Sequence, residues 1–267
     1  MNMRGQLVVL DIIAPAAPGS VKLLLSPAEL VASGMAGFTH SMSPKSAEAV
    51  SGGGVSAYCR VSGKKLVQKG RDQFGLKLAT VEGKPALGLT SYTGVSSLAF
   101  PEGSASKSYT VVMMVHIPDP ATARLNFMTA FTDETAIATV LRYDITTASP
   151  TVNRLLAYGN AVNPPQAEIA HSVAGWAAVV VDYDDLTRTV SIAVNGVGDF
   201  SEIIKAQNSL ADEHSYLEVG YHSSSNGLRL ASVGDVFIFN KSLRADPSGM
   251  VQLGHLVNEL KAEYSVA

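Results

Sequence analysis

From about residue 76 to residue 240, apolar and polar side chains alternate in short runs bounded by Gly, Pro, Asn, Asp and Ser. Successive residues of a strand point to opposite faces, so a period of two predicts strands, and the turn residues between them predict antiparallel pairing. The clearest runs are Tyr109 to Ile117, Leu125 to Phe131, Ala136 to Tyr143, Arg154 to Tyr158, Trp176 to Tyr183, Thr187 to Val194, Tyr216 to Tyr221 and Val233 to Phe239. Eight strands at this spacing predict an all-β fold, a sandwich or jelly roll.

Trp176 to Tyr183 is apolar at both alternating sets of positions, which predicts a central strand covered on both faces. It leads through Asp184-Asp185-Leu186-Thr187 into Arg188 to Val194, closed by Asn195-Gly196, a pair suited to positive φ. The period then lengthens. Asp246 can cap a helix with Pro247 at its first position, and Met250, Leu253, Leu256, Val257, Leu260 and Tyr264 fall on one stripe. A single C-terminal helix packed on the sandwich is expected.

Residues 1–75 are less regular and read as an N-terminal arm, with 76–267 forming the sandwich proper. Within the arm, Val21 to Leu25 predicts a strand, Pro27 to Ser33 a helical turn, and Ser51-Gly-Gly-Gly54 a flexible joint. Asp11 breaks the apolar run from Leu7 to Ala14, and Pro15 and Pro18 follow at once, so this run reads as a strand rather than a leader. Apolar runs such as Val8 to Ile13, with too few elements around them to bury them, invite pairing with another chain and predict assembly contacts.

Charged residues make up 16% of the 267, below the usual quarter or so, while 46% are apolar. Either the core is large or part of the surface lies against a neighbouring subunit. A net charge of −3, and a basic cluster of Lys64, Lys65, Lys69 and Arg71 diluted by Val67, Gln68 and Gly70, argue against nucleic acid as a partner. No apolar stretch approaches the roughly 18 to 20 residues that span a bilayer, so no membrane insertion is expected. The single cysteine, Cys59, leaves no internal disulfide and no multi-cysteine zinc site, and reads as a small core residue.

Four stretches, in order, carry a family likeness: Lys84 to Leu89 with Ser97 to Pro101; Ser108 to Pro118; Trp176 to Asp184 with Ala193 to Gly196; and Leu217 to Gly220 with Gly234 to Leu243 and the closing helix. Their sequence of an "sTv" strand, a Trp-led strand, a "vNG" turn, an "iG" strand and a "GdvfifnrsL" strand resembles a laminin-G-like domain of the concanavalin A-like lectin and glucanase superfamily. The likeness covers about residues 83 to 264 and is one of pattern. It implies a two-sheet antiparallel concanavalin A-like jelly-roll sandwich whose concave face and rim loops bind glycans or proteins in many relatives. Similar domains occur in glycan-active enzymes, adhesion modules, and tail, fibre or capsid-surface proteins of bacteriophages. Together with the low charge and lack of disulfides, the last context yields the expectation of a non-enzymatic virion structural protein. That protein would be located in the virion as a homo-oligomer, contacting other virion proteins and a cell-surface glycan. The alternatives are a free-standing glycan-binding lectin domain and a divergent glycoside hydrolase or lyase.

Glycosidases of that superfamily need two carboxylates, one to protonate the leaving oxygen and one to attack or activate water. On one strand these take the spacing Glu-x-Asp-x-x-Glu. Here Glu134, Glu168, Glu202 and Glu218 are followed two positions on by Ala136, Ala170, Ile204 and Gly220, so no enzymatic activity is expected. Asp182 and Asp184 are the candidate calcium ligands, with a polar hairpin turn as the alternative. No cofactor is implied. His40, His116, His171, His214, His222 and His255 show no His-Glu-x-x-His spacing. His116 and Trp176 read as core residues. For sugar binding, aromatic faces stack on the sugar while polar groups hold hydroxyls, and the candidates at strand ends and loops are Asp133, Tyr158, Asn160, Tyr221, His222 and Asn226.

Overall fold

The alternating runs pair into two large antiparallel sheets in the computed structural model, which describes residues 25–72, 74–91, 93–118, 124–145, 153–158, 166–171, 174–204, 208–223 and 227–267. The elements are, first, α1 (Pro27–Ser33), β1 (Phe38–Met42), β2 (Glu48–Ala49), β3 (Val55–Ser56), β4 (Val67–Lys69), β5 (Leu76–Val81), β6 (Lys84–Leu89), β7 (Ser97–Ala99) and β8 (Tyr109–Ile117). There follow β9 (Leu125–Thr132), β10 (Thr135–Ile145), β11 (Asn153–Ala157), β12 (Ala167–Ala170), β13 (Gly175–Asp184), β14 (Thr189–Val194), β15 (Ser201–Ile204), β16 (Tyr216–Gly220), β17 (Ser232–Phe239) and α2 (Pro247–Tyr264). Sheet I has the order β15-β14-β13-β8-β17-β6-β5, with β1 also paired to β17, and sheet II the order β12-β11-β10-β9-β16-β7-β4.

Val111, Met113 and Val115 of β8 and Val179 and Val181 of β13 meet Phe127, Val140, Leu217 and Val219 of sheet II in the main core. The opposite face of sheet I is equally apolar, because Val112, Met114, Ala178, Val180, Phe237 and Phe239 pack under the two helices. This second layer explains why Trp176 to Tyr183 is apolar on both sides. In α2, Asp246 caps the first turn, Pro247 occupies the first helical position, and Leu253, Leu256, Val257, Leu260 and Tyr264 are buried. Among the described residues no helix covers the outer face of sheet II, and none is long and apolar enough to cross a membrane.

Several expectations for the first 75 residues are corrected. The boundary near residue 75 does not separate an arm from the sandwich: β1 pairs with β17 and β4 with β7, and Met42, Ala57, Cys59 and Leu66 are core residues. These strands are two to five residues long, too short for a period of two to show. Ser51 to Gly54 is a hairpin turn rather than a joint: Gly53 N–H donates to Val50 O at 2.9 Å, and Gly52, Gly53 and Gly54 have φ of 94°, 112° and 86°, which glycine adopts without a Cβ penalty. Pro27–Ser33 is a complete helix, closed by a capping box in which Ser26 and Glu29 satisfy each other's backbone donors. The runs Val8 to Ile13 and, but for Leu25, Val21 to Leu25 lie outside the described residues, as do the assembly contacts expected of them.

Candidate functional site

Strand β16 turns Leu217 and Val219 into the core, so Tyr216 and Glu218 point to the outer face of sheet II. Glu218 is nevertheless fully buried. Its carboxylate accepts from Ser97 Oγ at 3.0 Å, from the His222 backbone N–H at 3.0 Å, and lies 2.8 Å from His222 Nδ1. Gly220 makes this possible: its φ of +92° reverses the chain, so that His222 folds back over the strand it has just left. The imidazole then stacks on Phe131 with ring centroids 4.4 Å apart, and Phe131 stacks in turn on Tyr216 at 5.7 Å.

A second limb comes from the β9–β10 turn. Asp133 and Glu134 have φ of 45° and 64°, the left-handed pair that a two-residue hairpin turn requires, and a non-glycine residue there costs about 1 to 2 kcal/mol. The position brings the Glu134 carboxylate to 3.5 Å from His222 Nε2 and into an ion pair with Lys69 of β4. Lys69 also donates to the Tyr216 hydroxyl at 2.7 Å and sits 4.1 Å from the centre of its ring. Beside the cluster an open cleft of about 440 Å³ is lined by Val67, Lys69, Phe100, Glu102, Glu134 and Tyr216.

The electrostatics follow from this packing. Burial pushes the Glu218 carboxyl above its usual range, while the bonds from His222 and Ser97 pull it back. The Lys69 bond holds Glu134 below its usual range. Partial burial alone would lower Lys69, but its bonds to Glu134 and Tyr216 prevail and raise it. When Glu218 is ionised, His222 Nδ1–H donates to it, and Nε2 faces Glu134. The arrangement is an imidazole held between two carboxylates and packed on a buried aromatic pair.

The sequence candidates fall in different places. His222 is at the centre of the cluster, Tyr221 flanks Phe131 at 6.0 Å, and Asp133 lines the cleft. Tyr158 lies beside Arg142, apart from the cluster, while Asn160 and Asn226 lie outside the described residues. Asp182 is buried and accepts from Thr110 Oγ1 at 2.6 Å, Ser242 Oγ at 2.7 Å, Leu243 N–H at 3.0 Å and Arg244 N–H at 3.3 Å, so protein donors occupy it as a latch between β13 and the segment after β17. Asp184 accepts from Leu186 N–H at 3.1 Å and Thr187 Oγ1 at 2.8 Å, which is the polar hairpin turn. Among the described residues no group of three His, Cys, Asp or Glu side chains could hold a metal ion. Glu134, Glu218, Lys69, Phe131 and Tyr216 were not singled out from sequence as site residues. Their one local signal is a lone acid, Glu218, between Leu217 and Val219 in an apolar strand and two residues before a glycine.

No family model matches the sequence, and no curated protein matches it. Solved structures do. The chain is similar to Trypanosoma rangeli sialidase, with a TM-score of 0.54 and 13% identity over 85% of this chain and 33% of the sialidase. The same sialidase with the inhibitor DANA gives a TM-score of 0.51 and 14% identity over 82% and 33%. Domain 4 of AbnA, a GH43 extracellular arabinanase from Geobacillus stearothermophilus, in complex with arabinotriose, gives 0.49 and 14% over 73% and 91%. The chain thus spans about a third of the sialidases' length, and at these identities the likeness is one of fold. It agrees with an all-β sandwich and corrects the expectation of a non-enzymatic virion structural protein, because the sialidases that share the fold are enzymes. Glu134 and Glu218 come from the β9–β10 turn and from β16, far along the chain, and only the pairing of β16 with β9 brings both against one imidazole.

Proposed function

We propose that this chain is a carbohydrate-active sandwich of the concanavalin A-like kind, which takes a saccharide in the cleft beside Tyr216 and Glu134 on sheet II and cleaves it as a divergent glycoside hydrolase or lyase. The observation that carries the reading is the buried Glu218 carboxylate fixing His222 opposite Glu134. A pyranose sits in the cleft beside Tyr216, Lys69 and Glu134 hold its hydroxyls, and His222 Nε2 exchanges a proton at the scissile position with Glu134 as its counterpart. Glu218 acts through His222 and is a positioning residue. The fold likeness to sialidases supports carbohydrate as the substrate class without specifying the sugar or the bond.

The test is incubation of the full chain with a panel of neutral and acidic polysaccharides, followed by separate detection of new reducing ends and of unsaturated products. Turnover of at least one member, reduced about a hundredfold or more in His222→Ala and in Glu134→Gln with the melting temperature kept, is the expected result. Retention of a saccharide without turnover would instead place the chain among glycan-binding lectin domains. Turnover untouched by either substitution would move the active site elsewhere.

A further inference from the structure

The outer face of sheet II carries a second charged pole, at the opposite end of β9 and β10 from His222. In the register of the sheet Asn126 faces Arg142, Arg142 faces Leu156, and Asp144 faces Arg154, so these side chains share one face. Arg142 Nη2 donates to Asp144 Oδ2 at 2.9 Å and to the Tyr158 hydroxyl, and its guanidinium sits 4.8 Å from the centre of the Tyr158 ring. Arg124 Nε lies 3.3 Å from the other oxygen of Asp144, and Arg154 Nη1 lies 2.6 Å from Glu168.

Among the described residues three guanidiniums therefore share two carboxylates, with a surplus of one positive charge. Asp144 serves two of them, Arg124 at one oxygen and Arg142 at the other. The Nε atoms of Arg142 and Arg154 are buried without an acceptor, an unmet demand that marks a network short of acceptor oxygens. Arg124 is half exposed and open to a ligand. The Tyr158 phenol registers the convergence: burial raises it, Arg142 lowers it, Asp144 raises it, and Arg124 and Arg154 lower it.

We propose that this pole is a subsite for an anionic substituent of the saccharide, a carboxylate or a sulfate ester. The inference rests on the reading of this face as the saccharide surface and narrows its ligand to an acidic glycan. A guanidinium presents a planar fork of donors that matches an oxyanion in two bonds, and stacking on Tyr158 fixes the plane of one such fork. A chain lying along the strands then spans both poles, with its acidic group at the arginines and a sugar ring in the cleft beside Tyr216 and Glu134.

The experiment measures binding of the full chain to matched pairs of oligosaccharides: oligogalacturonate, oligomannuronate and oligoguluronate beside their carboxyl-reduced forms, and a sulfated galactan beside its desulfated form. At least one acidic member should bind about tenfold or more tightly than its neutral partner, the gain expected of a charge-assisted hydrogen-bonded pair. In Arg124→Ala and in Arg142→Lys, each checked for an unchanged melting temperature, that ratio should fall toward one. Preference for a carboxylated or for a sulfated member identifies the source of the anion. Equal binding within every pair, binding of neutral members alone, or a preference that survives both substitutions would overturn the anionic subsite and leave the proposed function standing. Failure to bind any member of any pair would instead remove the saccharide reading of the face.

Discussion

His222 Nδ1 lies 2.8 Å from the buried carboxylate of Glu218, and a single reversal of the chain between them brings the two into contact. An isolated acid inside a protein is costly, and here three donors offset that cost: the imidazole, the His222 backbone N–H and the Ser97 hydroxyl. In return the carboxylate fixes the plane and tautomer of the imidazole, so that Nε2 faces Glu134 across an aromatic surface.

The reversal itself is testable at Gly220. Its φ of +92° is poorly accessible to residues with a side chain, and a Cβ there would stand 3.3 Å from Ser96 O. Gly220→Ala should destabilise the fold by about 1 to 3 kcal/mol in urea titrations and release His222 from Glu218. The NMR resonances of the His222 ring should then move. An alanine variant with wild-type stability and an unmoved ring resonance would mean that the left-handed turn does not hold the imidazole.

Much of the sandwich is legible in the sequence, and the reasons lie in particular residues. Tyr109–Ile117 and Trp176 to Tyr183 alternate or run apolar over whole strands, so their periodicity survives any register and the observed strands match the expected ones closely. The stripe from Leu253 to Tyr264 shows α2 for the same reason at a longer period. The upstream strands, such as β4 with its three residues, are placed by pairing with β7, a contact between distant parts of the chain that has no local signature. The site is hidden in the same way. Lys69, Glu134 and His222 lie 65 and 88 positions apart in sequence, counted successively from residue 69 to 134 and from 134 to 222, and only the order of strands in sheet II makes them neighbours.

Trp176 should behave as a core residue. Its indole N–H donates to Val81 O at 3.2 Å, and its ring packs 4.7 Å from that of Tyr264 and 5.3 Å from that of His116. Trp176→Ala removes the ring that joins β13 to the last turn of α2 and should cost about 3 to 5 kcal/mol in denaturant unfolding. A loss below about 1 kcal/mol would place the indole at the surface, since scattered surface substitutions cost no more than that.

The glycine at position 234 has a packing reason. A Cβ built on Gly234 would lie 2.4 Å from the Tyr264 hydroxyl and 2.6 Å from Cζ, because the ring rests directly on β17. The hydroxyl accepts from Asp235 N–H at 3.0 Å and donates to Asp235 Oδ2 at 3.2 Å, which locks α2 to sheet I. Gly234→Ala should therefore cost about 1 to 3 kcal/mol by overpacking. Tyr264→Ala should be costly alone, yet the double variant should lose less than the sum, since the ring that clashes is already gone. Additive losses in the cycle would mean that the alanine strains the strand without meeting the helix.

The pH dependence of stability isolates Glu218. Burial raises its folded carboxyl above the ordinary value of 4.5, so below that value the acid is protonated in folded and unfolded chains alike and its contribution to stability is fully present. As the pH rises past 4.5, the unfolded chain releases the proton more readily than the folded one, and stability falls until the folded group has also ionised. Asp182 is raised by the same cause, so the wild-type curve contains both contributions. Glu218→Gln removes one of them. Unfolding free energies measured at steps from below 4.5 upward should therefore decline more steeply in the wild type than in the variant, and the difference between the two curves should flatten once the folded carboxyl has ionised. A wild-type protein that instead gains stability over the variant as the pH rises would show that the His222 and Ser97 bonds outweigh burial, with the carboxylate held ionised from the start.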